Sequence, residues 1–282
     1  MRTSCKSKNN LTKIDEMVGL DSVFQVLEYD ELRGGKSIDT AFSLSIMKDA
    51  HIRLRQVRIF IKDAAVRLES GALQFMKGDI TIDSKLGGIL GMGKKILSKT
   101  LTNETAFKPL YYGTGEIFLE PSFGHYSLIE LEDEDIIVDD GLFYACEEGV
   151  QVGVAAQKTL SSAFFGKEGL FQTKLSGSGI AVLELPVPES EVIKVKLINE
   201  TLKIDGNFAI LRSGRIEFSV EKSAKTLIGS GTSGEGFLNV FRGTGEVWII
   251  PTSHIYDEIK NMNMRELTNP SGGMNTQQGN ES

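Results

Sequence analysis

The chain has 282 residues, of which 40% are hydrophobic and 24% charged, a composition typical of a soluble globular protein with a sizeable core. Lys and Arg total 31 against 38 for Asp and Glu, and the net charge of −7 disfavours a phosphate backbone as partner. Two cysteines, Cys5 and Cys146, exclude a disulfide framework and a zinc-binding spacing. Neither a signal peptide nor a membrane-spanning run is present, so we expect a cytoplasmic protein.

Strands dominate the prediction along the chain, after a flexible N-terminus expected over residues 1–15. Apolar residues alternate with polar ones at 42–46, at 52–54 and, after a slip near Gln56, at 57–61, which is the period of a strand with one buried face. The same period recurs at 117–119, 195–197 and 247–249. The alternating positions of the first stretch are Phe42, Leu44, Ile46, Ile52, Leu54, Val57, Ile59 and Ile61.

One sequence signature occurs three times: YYGTGEIFLEP at 111–121, LSGSGIAVLELP at 175–186 and FRGTGEVWIIP at 241–251. Their first glycines are 64 and 66 residues apart. Each signature precedes an apolar strand and none opens a helix, which argues against a dinucleotide-binding loop. We interpret the glycines as structural, allowing positive φ or close crossing of strands. They are Gly113, Gly115, Gly177, Gly179, Gly243 and Gly245.

Two further sets of residues recur in the same order as the signature. One is the tripeptide Lys-Thr-Leu, at 99–101, 158–160 and 225–227. The aspartate of each repeat precedes the first signature glycine by 50, 37 and 38 residues, which predicts about twelve extra residues in the first repeat, between 78 and 99. The aspartates are Asp63, Asp140 and Asp205, followed by Gly71, Gly149 and Gly214.

The predicted insertion contains GGILGMGKK at 87–95, which nearly matches a phosphate-binding loop. Lys95 stands where that loop needs a Ser or Thr to hold magnesium, and the flanking copies are strands and turns, so we expect no nucleotide site. Apolar residues mixed with lysines instead predict a cover for the protein's own sheet or subunit interface, or a contact with a membrane or partner. With its counterpart in the second repeat, this candidate contact loop comprises Leu86, Ile89, Leu90, Met92, Lys94, Lys95, Phe164 and Phe165.

The remaining candidates for chemistry are weak, and we predict no catalytic, cofactor or metal site. The three histidines have no second ligand at metal spacing, and the acidic run at 130–135 lacks the pattern of a calcium loop. A basic stripe motivates an RNA-binding alternative, although no aromatic residue is interleaved to stack bases. The stripe consists of His51, Arg53, Arg55, Arg58, Lys62 and Arg67.

The segments RQVRIFI at 55–61 and GALQFMKGDI at 71–80, with GTGEIFLEP and GTGEVWIIP, resemble the altered-inheritance-of-mitochondria 24 family over about residues 20–252. The resemblance implies an all-β fold of three pseudo-repeats related to the tryptophan RNA-binding attenuation protein. It implies no established enzymatic activity, and the mitochondrial branch is associated with inner-membrane organisation. Because a targeting presequence is absent, we expect a bacterial member.

The predicted architecture is one all-β domain over 16–252, a β-sandwich or prism-like body with pseudo-repeats at about 48–121, 125–186 and 190–251. A short helix over 253–265 and a disordered tail over 266–282 follow. The predicted function is a non-enzymatic scaffold or interaction protein that self-associates or binds a protein, with peripheral membrane contact as one version. A small-ligand or RNA-binding module is the alternative, and an unrecognised enzyme the third.

Overall fold

A computed structural model describes residues 9–83, 108–156, 171–222 and 237–261. Antiparallel strands dominate these residues and form one 13-stranded sheet, which confirms the all-β prediction. The helices are α1 (Ile38–Asp49) and α2 (Ser253–Asn261), with a 3₁₀ turn at Glu189–Glu191. The strands are β1 (Leu11–Val18), β2 (Ser22–Tyr29), β3 (Arg55–Leu68), β4 (Leu73–Asp83), β5 (Leu110–Leu119), β6 (His125–Asp139), β7 (Phe143–Glu147), β8 (Val150–Ala156), β9 (Phe171–Leu185), β10 (Ile193–Asp205), β11 (Ala209–Ser213), β12 (Arg215–Lys222) and β13 (Phe237–Ile249).

The sheet is built from three units with the same strand arrangement. Unit 1 is β3–β5, unit 2 is β6–β9 and unit 3 is β10–β13. The last strand of each unit lies in its centre, paired on one side with the first strand and on the other with the middle of the unit. The middle is the single strand β4 in unit 1 and a pair of short strands in units 2 and 3.

The first strand of each unit has a β-bulge at an equivalent place. The bulge residue is left-handed, with φ between 52° and 58°. Its backbone N–H donates to the hydroxyl that stands between the two signature glycines on the central strand. This side chain therefore replaces the ladder partner that the bulge removes. The pairs are Asp63 with Thr114 at 2.9 Å, Asp133 with Ser178 at 2.9 Å and Asn199 with Thr244 at 3.0 Å.

The first signature glycine lies where two strands approach too closely for a side chain. Gly113, Gly177 and Gly243 have φ of 141°, 107° and 136°. A Cβ on Gly243 would collide with the carbonyl oxygen of Arg215 on the neighbouring strand. The signature therefore supplies both the space for the crossing and the hydroxyl that completes the bulge.

The bulges correct the predicted aspartate series. Asp63 is a bulge residue, but Asp140 lies in the turn after β6 and Asp205 ends β10. The structurally equivalent residues are Asp63, Asp133 and Asn199, so the series was wrong at its second and third members. Its physical basis is a left-handed backbone, which Asn and Asp both tolerate.

The glycine series needs a similar correction in unit 1. Gly78, Gly149 and Gly214 each approach the signature hydroxyl residue on the central strand, whereas Gly71 lies in the turn before β4. Measured from these glycines to the first signature glycine, the intervals are 35, 28 and 29 residues. Unit 1 therefore carries six or seven extra residues and not twelve. The three Lys-Thr-Leu copies lie outside the described residues.

Neighbouring units are joined by short stretches of strand pairing. At joint 1, residues 66–68 of β3 pair with residues 145–147 of β7. At joint 2, residues 136–138 of β6 pair with residues 211–213 of β11. Both stretches begin three residues after the bulge, so the bulge sets the register between units as well as within them.

The hydrophobic core is divided into three clusters that follow the joints. The first combines unit 1 residues with Tyr144, Ala145 and Val182 of unit 2. The second combines unit 2 residues with Leu211 and Trp248 of unit 3. Among the described residues, the third draws its buried members from unit 3 alone: Leu197, Ile204, Phe241 and Val247.

Residues 42–46 are helical, so the strand predicted there is wrong. Ser37 caps α1, its hydroxyl accepting from the N–H of Thr40 at 3.2 Å, while Asp39 occupies the first turn and Lys48 the last. These charges suit the helix dipole, and Phe42 and Ile46 also fit the four-residue spacing of a helix face. The chain at 51–54 is not a strand either, whereas β3 begins at Arg55 and confirms the alternation through Val57, Ile59 and Ile61.

The ends of the described chain adjust the predicted boundaries. β1 begins at Leu11 and pairs with β2, so the expected flexible N-terminus is wrong over residues 11–15. Helix α2 occupies 253–261 of the predicted 253–265, and the remainder lies outside the described residues. The main strand path, β1-β2-β3-β7-β9-β6-β11-β13-β10, is open at both ends, and the sandwich or prism-like shape stays a prediction.

Candidate functional site

The eight residues of the candidate contact loop all lie outside the described residues. The strands that flank them are described: β4 ends at Asp83 before β5, and β8 ends at Ala156 before β9. Each segment therefore connects the middle of its unit to the central strand, and residues 223–236 do the same in unit 3. The three segments occupy equivalent places in the topology.

The described chain presents a different apolar surface on helix α1. Ile38, Phe42 and Ile46 follow one another at four-residue spacing, which places them on one side of the helix. Their exposed fractions are 88%, 63% and 47%. We call these three residues the α1 face. Such a row of large exposed apolar side chains is typical of a surface that another molecule covers.

The opposite side of α1 holds the helix against the protein. Leu44 and Met47 line a small space together with Tyr29 and Leu32. The ammonium group of Lys48 lies 3.0 Å from the carboxylate of Glu31, which also binds a guanidinium nitrogen of Arg33 at 2.6 Å. Hydrogen bonds from these two cations hold the pKa of Glu31 below its ordinary value. The α1 face is thus fixed in orientation while its side chains remain exposed.

Helix α1 carries few charged residues, and acidic residues outnumber basic ones. Asp39 and Asp49 stand against one cation, Lys48, which is already paired with Glu31. A helix that lies on an anionic membrane carries Lys and Arg on its polar side. The composition of α1 therefore favours an apolar protein surface over lipid headgroups.

A polar cluster lies at joint 2, where it links units 2 and 3. The guanidinium of Arg212 donates to the amide oxygen of Gln172 at 3.0 Å, and the Gln172 amide donates to the carboxylate of Asp139 at 2.8 Å. Burial raises the pKa of Asp139 and lowers that of Arg212. These opposite shifts have one cause, since desolvation disfavours each charged form.

The cavity beside this cluster is about 140 Å³ and includes Phe218 and Phe241 in its lining. Pockets for cofactors and drug-sized ligands measure roughly 300–1,000 Å³. The polar groups of Arg212, Gln172 and Asp139 bind one another across the joint. We therefore interpret the cluster as a connection between units 2 and 3.

Cys146 lies at joint 1 and is fully buried. Burial raises the pKa of its thiol to about 12. A thiol in that state is neutral at ordinary pH and is a poor nucleophile. Its position opposite Arg67 in the joint indicates a packing role.

The predicted basic stripe is dispersed by the structure. His51 and Arg53 precede β3, so they do not alternate with Arg55 along one strand face as predicted. The guanidinium of Arg55 pairs with the carboxylate of Glu28 at 2.9 Å, and that of Arg58 lies over the ring of Phe60 at 4.6 Å. These arginines are engaged by the protein itself, which weakens the argument for RNA binding.

Sequence reasoning missed both the α1 face and the joint 2 cluster. The signal for the first was present, because a Ser at 37 before a row of apolar residues at four-residue spacing marks a capped helix. The second gave no local signal. Asp139, Gln172 and Arg212 come from three strands and meet only after two units have joined.

The fold defines an all-β protein of tandem bulged units. The family described as "Mitochondrial biogenesis AIM24" matches residues 49–252. The chain belongs to this family, which confirms the resemblance seen in the sequence. Units 1 to 3 lie inside the matched range, whereas β1, β2 and nearly all of α1 precede it.

Two streptococcal proteins are similar to the chain. An uncharacterized protein of Streptococcus pyogenes serotype M6 is 24% identical over 234 residues, covering 80% of this chain and 92% of that protein. A crystal structure of a Streptococcus pyogenes protein aligns with a TM-score of 0.51 at 22% identity, covering 74% of this chain and 94% of the other. The crystal structure supports the fold, and both similar proteins are bacterial.

Neither helix in the described ranges could cross a bilayer, because α1 and α2 are too short and too polar.

Proposed function

We propose that the chain is a non-enzymatic interaction protein, in which a β-scaffold presents the α1 face to a partner protein. The observation that carries the proposal is the row of Ile38, Phe42 and Ile46, each at least 47% exposed on a capped and anchored helix. A helix that only completed the fold would turn such side chains inward. Family membership is compatible with this role but names no partner.

The chemistry of the α1 face describes the partner. Three large apolar side chains spaced along a 12-residue helix suit a hydrophobic groove or a second amphipathic helix. Because Lys48 is neutralised by Glu31, the helix offers little attraction to an acidic surface. We therefore expect an apolar contact with weak dependence on salt.

Photo-crosslinking in the organism of origin tests the proposal. A photoreactive phenylalanine analogue replaces Phe42, and the matched control carries it at Phe123, an aromatic residue of similar exposure at 45% outside α1. We expect a discrete cross-linked protein from position 42 and none from position 123. Adding I38S and I46S should abolish that product without changing the circular dichroism spectrum. Identical products from both positions would remove the α1 face as a binding site.

A membrane-peripheral version of the function has its support in the sequence of residues 85–95, where lysines and apolar residues mix. Co-sedimentation with vesicles containing anionic lipid would compare the intact chain, a deletion of 85–95 and the triple variant I38S/F42S/I46S. Pelleting that is lost only in the deletion supports the membrane version. Equal pelleting of intact chain and deletion, or none, would remove it.

A further inference from the structure

The two ends of the array of units carry the halves of a joint that the chain does not complete. At joints 1 and 2, the segment three to five residues after a bulge pairs with the middle strand of the next unit. In unit 3 the corresponding segment is 202–204 of β10. In unit 1 the corresponding middle segment is 75–77 of β4, from its pairing with the central strand. In the described residues these two segments pair only with strands of their own units.

Burial distinguishes the paired middle strand β7 from the unpaired middle strand β4. Ala145 and Cys146 of β7 are fully buried at joint 1. Their counterparts in β4, Phe75 and Met76, are 49% and 37% exposed. An exposed strand edge bearing large apolar side chains is a template for pairing with another chain.

An apolar cross-strand pair recurs at the joints and also occurs on this edge. Ala145 is paired with Val182 at joint 1 and Leu211 with Trp248 at joint 2. In unit 1 the same register pairs Phe75 with Phe118, whose rings stack with centroids 4.4 Å apart. At both joints this pair enters the core of the preceding unit.

The core of unit 3 is where the third pair would enter. Within the described residues, the clusters of units 1 and 2 each receive buried side chains from the following unit, whereas that of unit 3 receives none. Leu202 and Ile204 belong to this cluster and lie on the segment that a neighbour would cover. The complementary halves are therefore the unpaired segment of β10, which borders the core of unit 3, and the apolar pair on β4.

We propose that β10 of one copy pairs with β4 of a second copy, forming a third joint with the geometry of joints 1 and 2. Continuity with the two internal joints identifies the partner, because β4 presents the backbone register and apolar pair that unit 3 lacks. Register equivalence places Leu202 opposite Lys77, Lys203 opposite Met76 and Ile204 opposite Phe75. The contact is head-to-tail, so a pair of copies keeps one free β4 edge and one free β10 segment, to which further copies can add.

Disulfide trapping between two separately prepared variants tests this pairing. Both carry C5S to remove one native thiol; one adds M76C and the other K203C. The matched control replaces K203C with K196C, a second exposed lysine of β10. Lys196 lies six register positions from Lys203 on the same face, or roughly 20 Å at about 3.3 Å per residue.

We expect M76C and K203C to cross-link on mild oxidation into a heterodimer, at least about tenfold more than M76C with K196C, since Cα atoms more than about 7 Å apart are not bridged. Peptide mapping should find the 76–203 disulfide. Equal yields from K203C and K196C, or a dimer formed by M76C alone, would overturn the proposal. Met76, Lys196 and Lys203 are exposed, and circular dichroism checks that each variant folds.

Two further measurements separate a second copy from closure within one chain. A chain with both M76C and K203C should form a ladder of linked copies, whereas an internal disulfide in a monomer would show that the chain closes on itself and would overturn the proposal. Sedimentation equilibrium of the unmodified protein should give a mass that rises above 30.9 kDa with concentration. A mass that stays at the monomer value up to the solubility limit would also overturn it. The photo-crosslinking at α1 is independent of either result.

Discussion

Joint 1 and joint 2 have the same backbone pairing but different side chains. At joint 1, Arg67 stands opposite the fully buried Cys146, and its guanidinium donates to the backbone carbonyl of Lys108. At joint 2, Ile137 stands opposite Arg212, which reaches a buried polar cluster. The comparison teaches that the bulge and the main-chain hydrogen bonds fix the register, while the side chains at a joint can differ without moving it.

The largest effect is expected at the strand crossings, which lie inside the units and recur in all three of them. G177A and G243A would each lose roughly 2–4 kcal/mol of unfolding free energy, because a Cβ there collides with a carbonyl and φ is positive. Chemical denaturation measures the loss. G153A is the control, since a Cβ at that position meets no heavy atom within 4 Å. A loss as small as that of the control would contradict the shared geometry.

A smaller effect should distinguish the joints. R212A removes the guanidinium from the buried cluster at joint 2 and should cost about 1–3 kcal/mol, because Asp139 and Gln172 lose a charged partner. R67A at joint 1 should cost about 1 kcal/mol, since Arg67 donates to the carbonyl of Lys108 at 3.1 Å. Denaturation of both variants measures the difference. Equal losses would show that joint 2 gains nothing from its cluster.

The bulge hydroxyls should contribute equally in every unit. S178A and T244A would each lose about 1 kcal/mol, because a backbone N–H at the bulge loses its acceptor to a methyl group. S176A, two residues away on the same strand, is the control. Thermal or urea unfolding measures the change. If S178A and S176A behaved alike, water would be replacing the hydroxyl at the bulge.

The smallest effect is the contribution of Asp139, at joint 2, to the pH dependence of stability. Burial raises the folded pKa of Asp139 above its ordinary 3.8. The folded state then binds the proton more tightly than the unfolded state, so this stabilisation is complete below 3.8 and is lost as pH rises through the folded pKa. D139N should flatten the stability profile over that acidic window. Parallel profiles of D139N and the unmodified protein in urea titrations would contradict the assignment.

Local patterns predicted part of the fold and little of the candidate site. The strands β3, β5 and β13 follow from alternation that any short window reveals. The same alternation misassigned 42–46, where Phe42 and Ile46 fit both a strand and a helix face and the cap at Ser37 decides. Over so few residues, hydrophobic periodicity alone does not distinguish the two-residue period of a strand from the 3.6-residue period of a helix.

The residues that correspond between the three units could not be identified from residue types alone. Asp133 and Asn199 correspond to Asp63 through a backbone dihedral and a hydrogen bond, not through identity. Matching aspartates therefore selected Asp140 and Asp205, which lie seven and six residues after the bulge residues. The joints are harder still, because they pair strands about 75 residues apart whose partners depend on the shape of a completed unit.

Each joint takes its register from the bulge of the preceding unit. The number of units in the array can therefore change without changing the geometry of the joints. β3 and β6 each offer the segment three to five residues after the bulge to a middle strand of the next unit, so removing residues 125–190 would bring β3 and β11 into the relation that β6 and β11 now have. Gene duplication or loss could then lengthen or shorten the protein by whole units while leaving both termini of the array unchanged. Copy number, rather than any new interface, would set how far such a chain extends.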